Sequence, residues 1–442
     1  MKIQNIFVIL ICSLFLSNVS FAAYDVTEVT LQTNDIIYDS HRQQIYASVP
    51  GSEGAAGNSI TIINPVTGAI GASIFVGSEP NKLAISDDGQ YLYVSLDGAA
   101  AVRRVNLATF TADMQFELGS SAFYGPYRVE DMEVQPGNAN TIAASLMRDG
   151  VSPRHAGVAI YDDGIQRTNV TPDHTGSNRI VFSSLPSKLY GYNNESTEFG
   201  FRGMLIDEAG VTVENVARDY ISGFGVDIEY DAGRIYSTSG VVLEADTPTV
   251  LGSYAGIRFA KSVVPDASSN HTYFLTSNNS IEIYNLNNFT FIESVSVPNA
   301  SGMPGSLILT QKNELAYRTD AGQVLLLSPA TETYLKLSPP SGDYLSTQQF
   351  DLGVLAKTGM ADVTAISHAT INGVDVSAEL AGCLMAGHVD VGYRSFRCPQ
   401  ISLYLQQNPS TQYNFDIALT LSDDSVVSQI AVWRIIQTVE GL

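Results

Sequence analysis

A strand–turn–strand unit returns seven times along the chain. Its side chains alternate with period 2, rich in Val, Ile, Tyr and Thr, and no long amphipathic helix appears. These observations predict an all-β protein. The unit recurs roughly every 40–50 residues, the length of one four-stranded blade, so the expected architecture is a seven-bladed β-propeller followed by a small β-sandwich.

Residues 1–22 precede the repeats and read as a secretory signal peptide. They hold one charge, Lys2, then the apolar run "IFVILICSLFL", then "SNVSFA". Ser20 and Ala22 suit the small-residue positions, which places cleavage before Ala23. The run is too short for a stable membrane span. No second long apolar segment follows, so no integral span is expected and the mature chain is read as secreted or periplasmic. Cys12 lacks the small neighbours of a lipid-anchor site.

The seven units occupy residues 23–338. They are "IIYDSHRQQIYAS" (36–48), "LAISDDGQYLYVS" (83–95), "MEVQPGNANTIAAS" (132–145), "IVFSSLPSKLYGY" (180–192), "IEYDAGRIYSTS" (228–239), "SVVPDASSNHTYFLTS" (262–277) and "LILTQKNELAYRT" (307–319). The aligned anchors are Tyr46, Tyr93, Ile142, Tyr190, Tyr236, Phe274 and Tyr317. Third strands such as "ITIIN" (60–64) and "IEIYN" (281–285) end on a turn-forming Asn. The N-terminal "DVTEVTLQT" (25–33) is suited to be the outer strand of the last blade and so close the ring. The adjacent Asp87 and Asp88 of "SDDGQ" resemble a calcium loop. Such a loop needs carboxylates at alternate positions and a distant Glu, so a hairpin turn on Gly89 is the better reading.

The stretch "EPNKLAISDDGQYLYVS" followed by "VRRVNLATF" resembles the YVTN-type β-propeller repeat of exported bacterial proteins, and is similar to lactonase-like seven-bladed propellers. The resemblance implies the fold. It does not imply one activity, because such propellers include enzymes and binders.

After "LSPPSGDYLS" (337–346), read as a linker, the spacing changes. Residues 345–442 are expected to form an Ig-like β-sandwich of short strands with Trp433 in its core. Cys383 and Cys398 are the two cysteines outside the leader. In an oxidising compartment they should pair and clamp a local loop, worth about 3 kcal/mol in the chain-entropy account.

The chain has 45 Asp and Glu against 23 Lys and Arg, a net charge of −22. That excludes nucleic acid, whose binding needs a basic face. None of the six histidines falls in a zinc spacing, and the sequence has no P-loop, covalent-haem or nucleophile-elbow motif. His41 and His271 are expected in solvated turns. His155, beside Arg154, is a weak candidate for a role.

A sharper pattern comes from the residue just before the innermost strand of each unit: Asp35, Lys82, Asp131, Arg179, Asp227, Lys261 and Ser306. Acid and base alternate, and seven-fold closure gathers them at one mouth of the central channel. They read either as a site for a small charged ligand or a metal held by Asp35, Asp131 and Asp227, or as an interblade salt-bridge ring. The second is preferred, with each pair worth little if exposed. No motif implies a cofactor, and calcium is the ion those three carboxylates would suit. The catalytic His, Arg and acids of lactonase-like propellers do not map onto these residues. The expected function is an exported non-enzymatic binding protein holding a protein partner or small polar ligand. The alternative is a lactonase-like hydrolase at the channel mouth.

Overall fold

The structure is a computed structural model that describes residues 24–311, 314–329, 334–338, 341–345, 352–357, 363–385, 388–390, 393–407, 410, 412–421 and 426–436. The leader, residues 1–22, lies outside them.

Seven four-stranded antiparallel sheets follow one another, each a blade, and in six of them the strands run in chain order from the channel outwards. The innermost strands are Asp35–Asp39, Pro80–Ile85, Arg128–Val134, Arg179–Phe182, Ile228–Asp231, Ser262–Asp266 and Pro304–Gln311. Each packs on the innermost strand of the next blade, and the seventh returns to the first. This closed ring is the seven-bladed propeller that the repeat predicts.

Burial follows position in the blade. Second strands such as Tyr91–Leu96 are buried on both faces, whereas the outermost Thr111–Glu117 alternates between exposed and half-buried. Apolar clusters bridge neighbouring blades, as where Tyr46 and Ile60 of blade 1 meet Leu83 and Leu92 of blade 2. Each such large side chain contributes roughly 1.5–3 kcal/mol by leaving water. Tyr anchors also use their hydroxyls across the seam. Tyr93 donates to the Ala139 carbonyl at 2.8 Å and Tyr190 to Asp246 Oδ1 at 2.7 Å.

The ring is shut by its first strand. Tyr24–Thr30 pairs antiparallel with Gln323–Pro329, from Tyr24 opposite Pro329 to Thr30 opposite Gln323. Val29 is buried there with Ile36, Ile45, Val324 and Leu326.

The "SDDGQ" stretch is a turn. Gly89 has φ +64°, which an L side chain resists, and Asp88 Oδ1 accepts from Ser86 Oγ and the Gln90 amide. Asp87 points elsewhere: its Oδ2 accepts from the Gly137 amide of the next blade, and its carbonyl lies 2.7 Å from His41 Nε2. The anchor of blade 3 is displaced by one residue. Asp131 pairs with Ser145 as Asp35 pairs with Ser48, so the position equivalent to Tyr46 is Ala143 rather than Ile142. A bulge between Val129 and Asp131 and the longer "QPGNAN" turn shift the register.

Beyond Pro329 the sheets change. Tyr334–Ser338, Leu352–Lys357, Tyr393–Cys398 and His388–Asp390 form one sheet. Gly342–Leu345, Val426–Ile436, Gln412–Leu421, Val363–Ile371 and Val374–Asp375 form a second. Strands on both sides of Pro339 and Pro340, read from sequence as a linker, thus belong to these sheets. Gly342–Leu345 runs parallel to its neighbour. Two helices, α1 (Ser377–Met385) and α2 (Pro399–Gln407), depart from the strand-only expectation. Leu380, Cys383 and Leu384, and Ile401 and Leu405, are spaced to bury one helical face. Asp375 Oδ1 accepts the Ser377 amide at the start of α1, and Pro399 opens α2, where its missing amide hydrogen costs nothing. One apolar core joins both helices to both sheets, with Trp433 stacked on Phe415 at 5.5 Å. The Cys383–Cys398 disulfide ties α1 to the end of Tyr393–Cys398.

Candidate functional site

Because every blade runs outwards from the channel, all seven innermost strands begin at the same face. The ring residues, which lie at or within three residues of those strand starts, therefore converge. Asp35 is buried and spends its carboxylate on three blades: Oδ1 accepts from the Ile36 amide (3.0 Å) and Ser306 Oγ (2.6 Å), and Oδ2 from the Leu83 amide (3.1 Å). Asp131 repeats the device two blades on, with Oδ1 on the Met132 amide (3.1 Å) and Oδ2 on the Ile180 amide (2.9 Å). Each acid thus ties down the strand opened by the next blade's base.

Arg179 lies between two acids. Its Nη1 is 4.0 Å from Asp131 Oδ1, its Nε 3.6 Å from Asp227 Oδ1, and Nη1 also donates to the Glu130 carbonyl. Asp227, followed by burial in the opposite sense and then Asp131, holds the Arg179 pKa above its usual range. Lys82 hydrogen-bonds only through its backbone, to Ser95 Oγ at 2.8 Å. Its ammonium makes no ion pair among the described residues, but its charge is felt at Asp131 and at two further carboxylates. Lys261 is exposed, and although its amide donates to the Leu275 carbonyl at 2.7 Å, its ammonium has no partner among the described residues. The structure therefore brings Asp35, Lys82, Asp131, Arg179, Asp227 and Ser306 together and leaves Lys261 at the rim.

The two further carboxylates are Glu133 and Glu229. Each sits two residues beyond a ring acid, so it shares that residue's side of the strand. The equivalent positions elsewhere are Ile37, Ala84, Val181, Val263 and Ile308. Burial, then Asp131, Glu229 and Asp227, raise the Glu133 pKa well above the carboxylate range, with Lys82 opposing. Burial, then Asp227 and Asp131, push Glu229 up to about 8. Burial pushes Asp131 up to about 6, against the pull of Arg179 and Lys82. Glu229 is nevertheless exposed to channel water and Glu133 is half-buried, so solvent screening weakens both effects. The signal was present as Asp-x-Glu in "EDMEV" and "VDIEY", acids at period 2 in strands otherwise apolar at that layer.

A carboxyl whose folded pKa is raised loses stability as pH climbs from its unfolded value through its folded one. Glu229→Gln is therefore expected to raise the urea midpoint at pH 8.5, by about 1 kcal/mol after discounting for solvent screening. The gain should vanish near pH 4, where both states are protonated. Equal midpoints for variant and parent at pH 8.5 would contradict the strained pair.

Among the described residues no group of three or more His, Cys, Asp or Glu is arranged to hold a metal. Asp35 and Asp131 are committed to amides, and Asp131 and Asp227 flank a guanidinium, so the calcium reading of those three acids is not what the structure forms. The histidines lie elsewhere. His41 sits in its turn as expected, but His271 opens a second strand and is buried against Tyr273, where a solvated turn was expected. His155 opens a third strand and is also buried. Its neighbour Arg154 instead binds Glu130, with Nη2–Oε1 2.7 Å, in a network with Asn178 and Glu195.

No known protein-family pattern matches the chain, and no curated protein does. Among solved structures, it is similar to the β-propeller domain of Cps50 (Swd1) from Myceliophteria thermophila. The TM-score is 0.55 at 13% identity, over 70% of this chain and 100% of that one. The likeness is one of fold: this is a β-propeller protein.

Proposed function

We propose that the chain is an exported binding protein that presents the channel-mouth face of its propeller to a protein partner. The leader-like residues 1–22 and the disulfide support export. No helix of the described residues is long and apolar enough to cross a membrane. On this reading the propeller through Pro329 is of the YVTN type, and the sheets from Tyr334 form an Ig-like accessory module, the bridge clamping it.

The observation that carries the reading is a one-sided distribution of exposed rings. Phe123, Tyr124, Tyr220, Phe224 and Phe259 all lie in the connections that lead into innermost strands. Among the described residues, the opposite face exposes Val66 and Leu185 in its turns and a single ring, Phe291, at the start of an outermost strand. Aromatic side chains left in water on one face mark a contact surface.

The mature protein, residues 23–442, immobilised against a secreted and periplasmic extract, tests this. A captured partner should be lost with Phe123→Ser/Phe259→Ser and retained with Leu185→Ser. Capture that survives the first pair, or is lost equally with the second, removes the reading. A lactonase-like hydrolase at the same mouth is the second reading. It would rest on Glu133 and Glu229 as carboxyls with raised pKa values, and lactone turnover abolished by either Gln substitution would favour it.

A further inference from the structure

We infer that the partner of this face presents a basic segment, and that one of its Lys or Arg side chains enters the channel mouth toward Glu133 and Glu229. The inference rests on the reading of the face as a docking surface and names the chemistry that docks.

The rim is the first observation. Phe123 is 92% exposed, Phe259 71% and Phe224 62%. Two rim rings have packing partners: Phe224 meets Phe199 edge-on at 4.9 Å, and Arg148 lies over Tyr124 at 5.5 Å. A small amine would leave these rings in water; a polypeptide laid across the mouth covers them.

Charge is the second. Five cations near the mouth are already paired, Arg128 with Asp149, Arg148 with Asp173, Arg154 with Glu130, and both Arg202 and Arg218 with Glu198, while the exposed Arg258 and Lys261 have no ion pair among the described residues. Inside the mouth the balance is the reverse. Asp35, Asp131 and Asp227 have amide or guanidinium partners, but neither Glu133 nor Glu229 has a hydrogen bond or ion pair among the described residues. The layer they occupy is otherwise apolar, and both carboxylates stay open to channel water, Glu229 exposed and Glu133 half-buried. An anionic ligand meets five carboxylates against Lys82 and Arg179. A cationic side chain supplies the charge-assisted partner that those two glutamates lack.

The test uses fluorescence anisotropy of the mature protein with two labelled probes, a nonapeptide alternating Arg with Leu and its Glu-for-Arg counterpart. The basic peptide should bind and the acidic one should not. Glu133→Gln/Glu229→Gln should weaken the basic peptide at least tenfold, and so should Phe123→Ser/Phe259→Ser. Circular dichroism of both double variants should match the parent. Binding that ignores the glutamate substitutions is attraction to the chain's overall charge and overturns the inference. Arginine amide binding as tightly as the peptide overturns it too, because the rim is then idle. If a native partner is lost with the Phe substitutions but held equally by the glutamate double variant, the docking reading stands and this inference falls.

Discussion

Val29→Asp should destabilise the propeller by ~3–5 kcal/mol, the cost of an unpaired carboxylate in a closed apolar site. Val29 is 4% exposed, opposite Val324, and lies in the apolar cluster that joins blades 7 and 1. Every other seam joins blades that are neighbours in the chain, whereas this one is held by a strand borrowed from the far end. Losing it exposes the edge of Gln323–Pro329 and frees the ring to open. Thr30→Asp, on the exposed side of the same strand, is the control and should change stability by under about 0.5 kcal/mol. Urea unfolding followed by Tyr fluorescence reads both, since the one Trp, Trp433, lies in the C-terminal core. Equal midpoints for the two variants would show that the strand does not hold the ring.

His155 should make the fold sensitive to mild acid. It is 1% exposed, and neither ring nitrogen has a hydrogen-bond partner. Burial first, then Arg202 and Arg148 against Asp173, depress its pKa to about 3. The folded state thus keeps the ring neutral while the unfolded chain protonates it near pH 6.5. Stability from this group is intact above pH 6.5 and falls as pH drops toward 3. Between pH 7 and 4.5 the loss is about 2.5 kcal/mol at 1.36 kcal/mol per unit. His155→Leu should remove that slope and cost little at pH 7, since it also removes two unsatisfied buried nitrogens. Urea midpoints at the two pH values decide it. A variant that loses as much stability as the parent on acidification would show that His155 is not the sensor. Gly176 sets the fit of this ring, because a Cβ there would lie 2.0 Å from its Nε2.

Much of the fold could be read from the sequence because strand order in a blade repeats chain order, and period 2 with a turn residue marks each hairpin. The closing strand was legible for the same reason: "DVTEVTLQT" is a strand without a hairpin partner nearby. Blade 3 misled by one residue because a bulge shifts pairing without altering the apolar pattern. The helices α1 and α2 went unread because nine residues hold barely two turns of periodicity.

At the site, opening positions were legible through the alignment of units, which needs only the backbone. Which residues touch was not. Asp35 reaches the Leu83 amide 48 positions away, a contact set by the packing of two blades. Glu133 and Glu229 were overlooked because one position per strand was compared, although the period-2 rule places the next layer directly. His271 was misplaced because its second strand starts one residue earlier than the turn chemistry of "DASSN" suggests.

The seam between Tyr24–Thr30 and Gln323–Pro329 also orders events in time. The two strands are about 300 residues apart in the chain. At roughly 5–20 residues per second, the first is made some 15–60 s before its partner exists. Through that interval a newly made chain carries a strand with no edge to join and six blades with an open end. Closure is then a single long-range step, slow because the whole intervening chain must be gathered first. The protein consequently has no finished native core until blade 7 has emerged, and its most vulnerable moment comes just before its two ends meet.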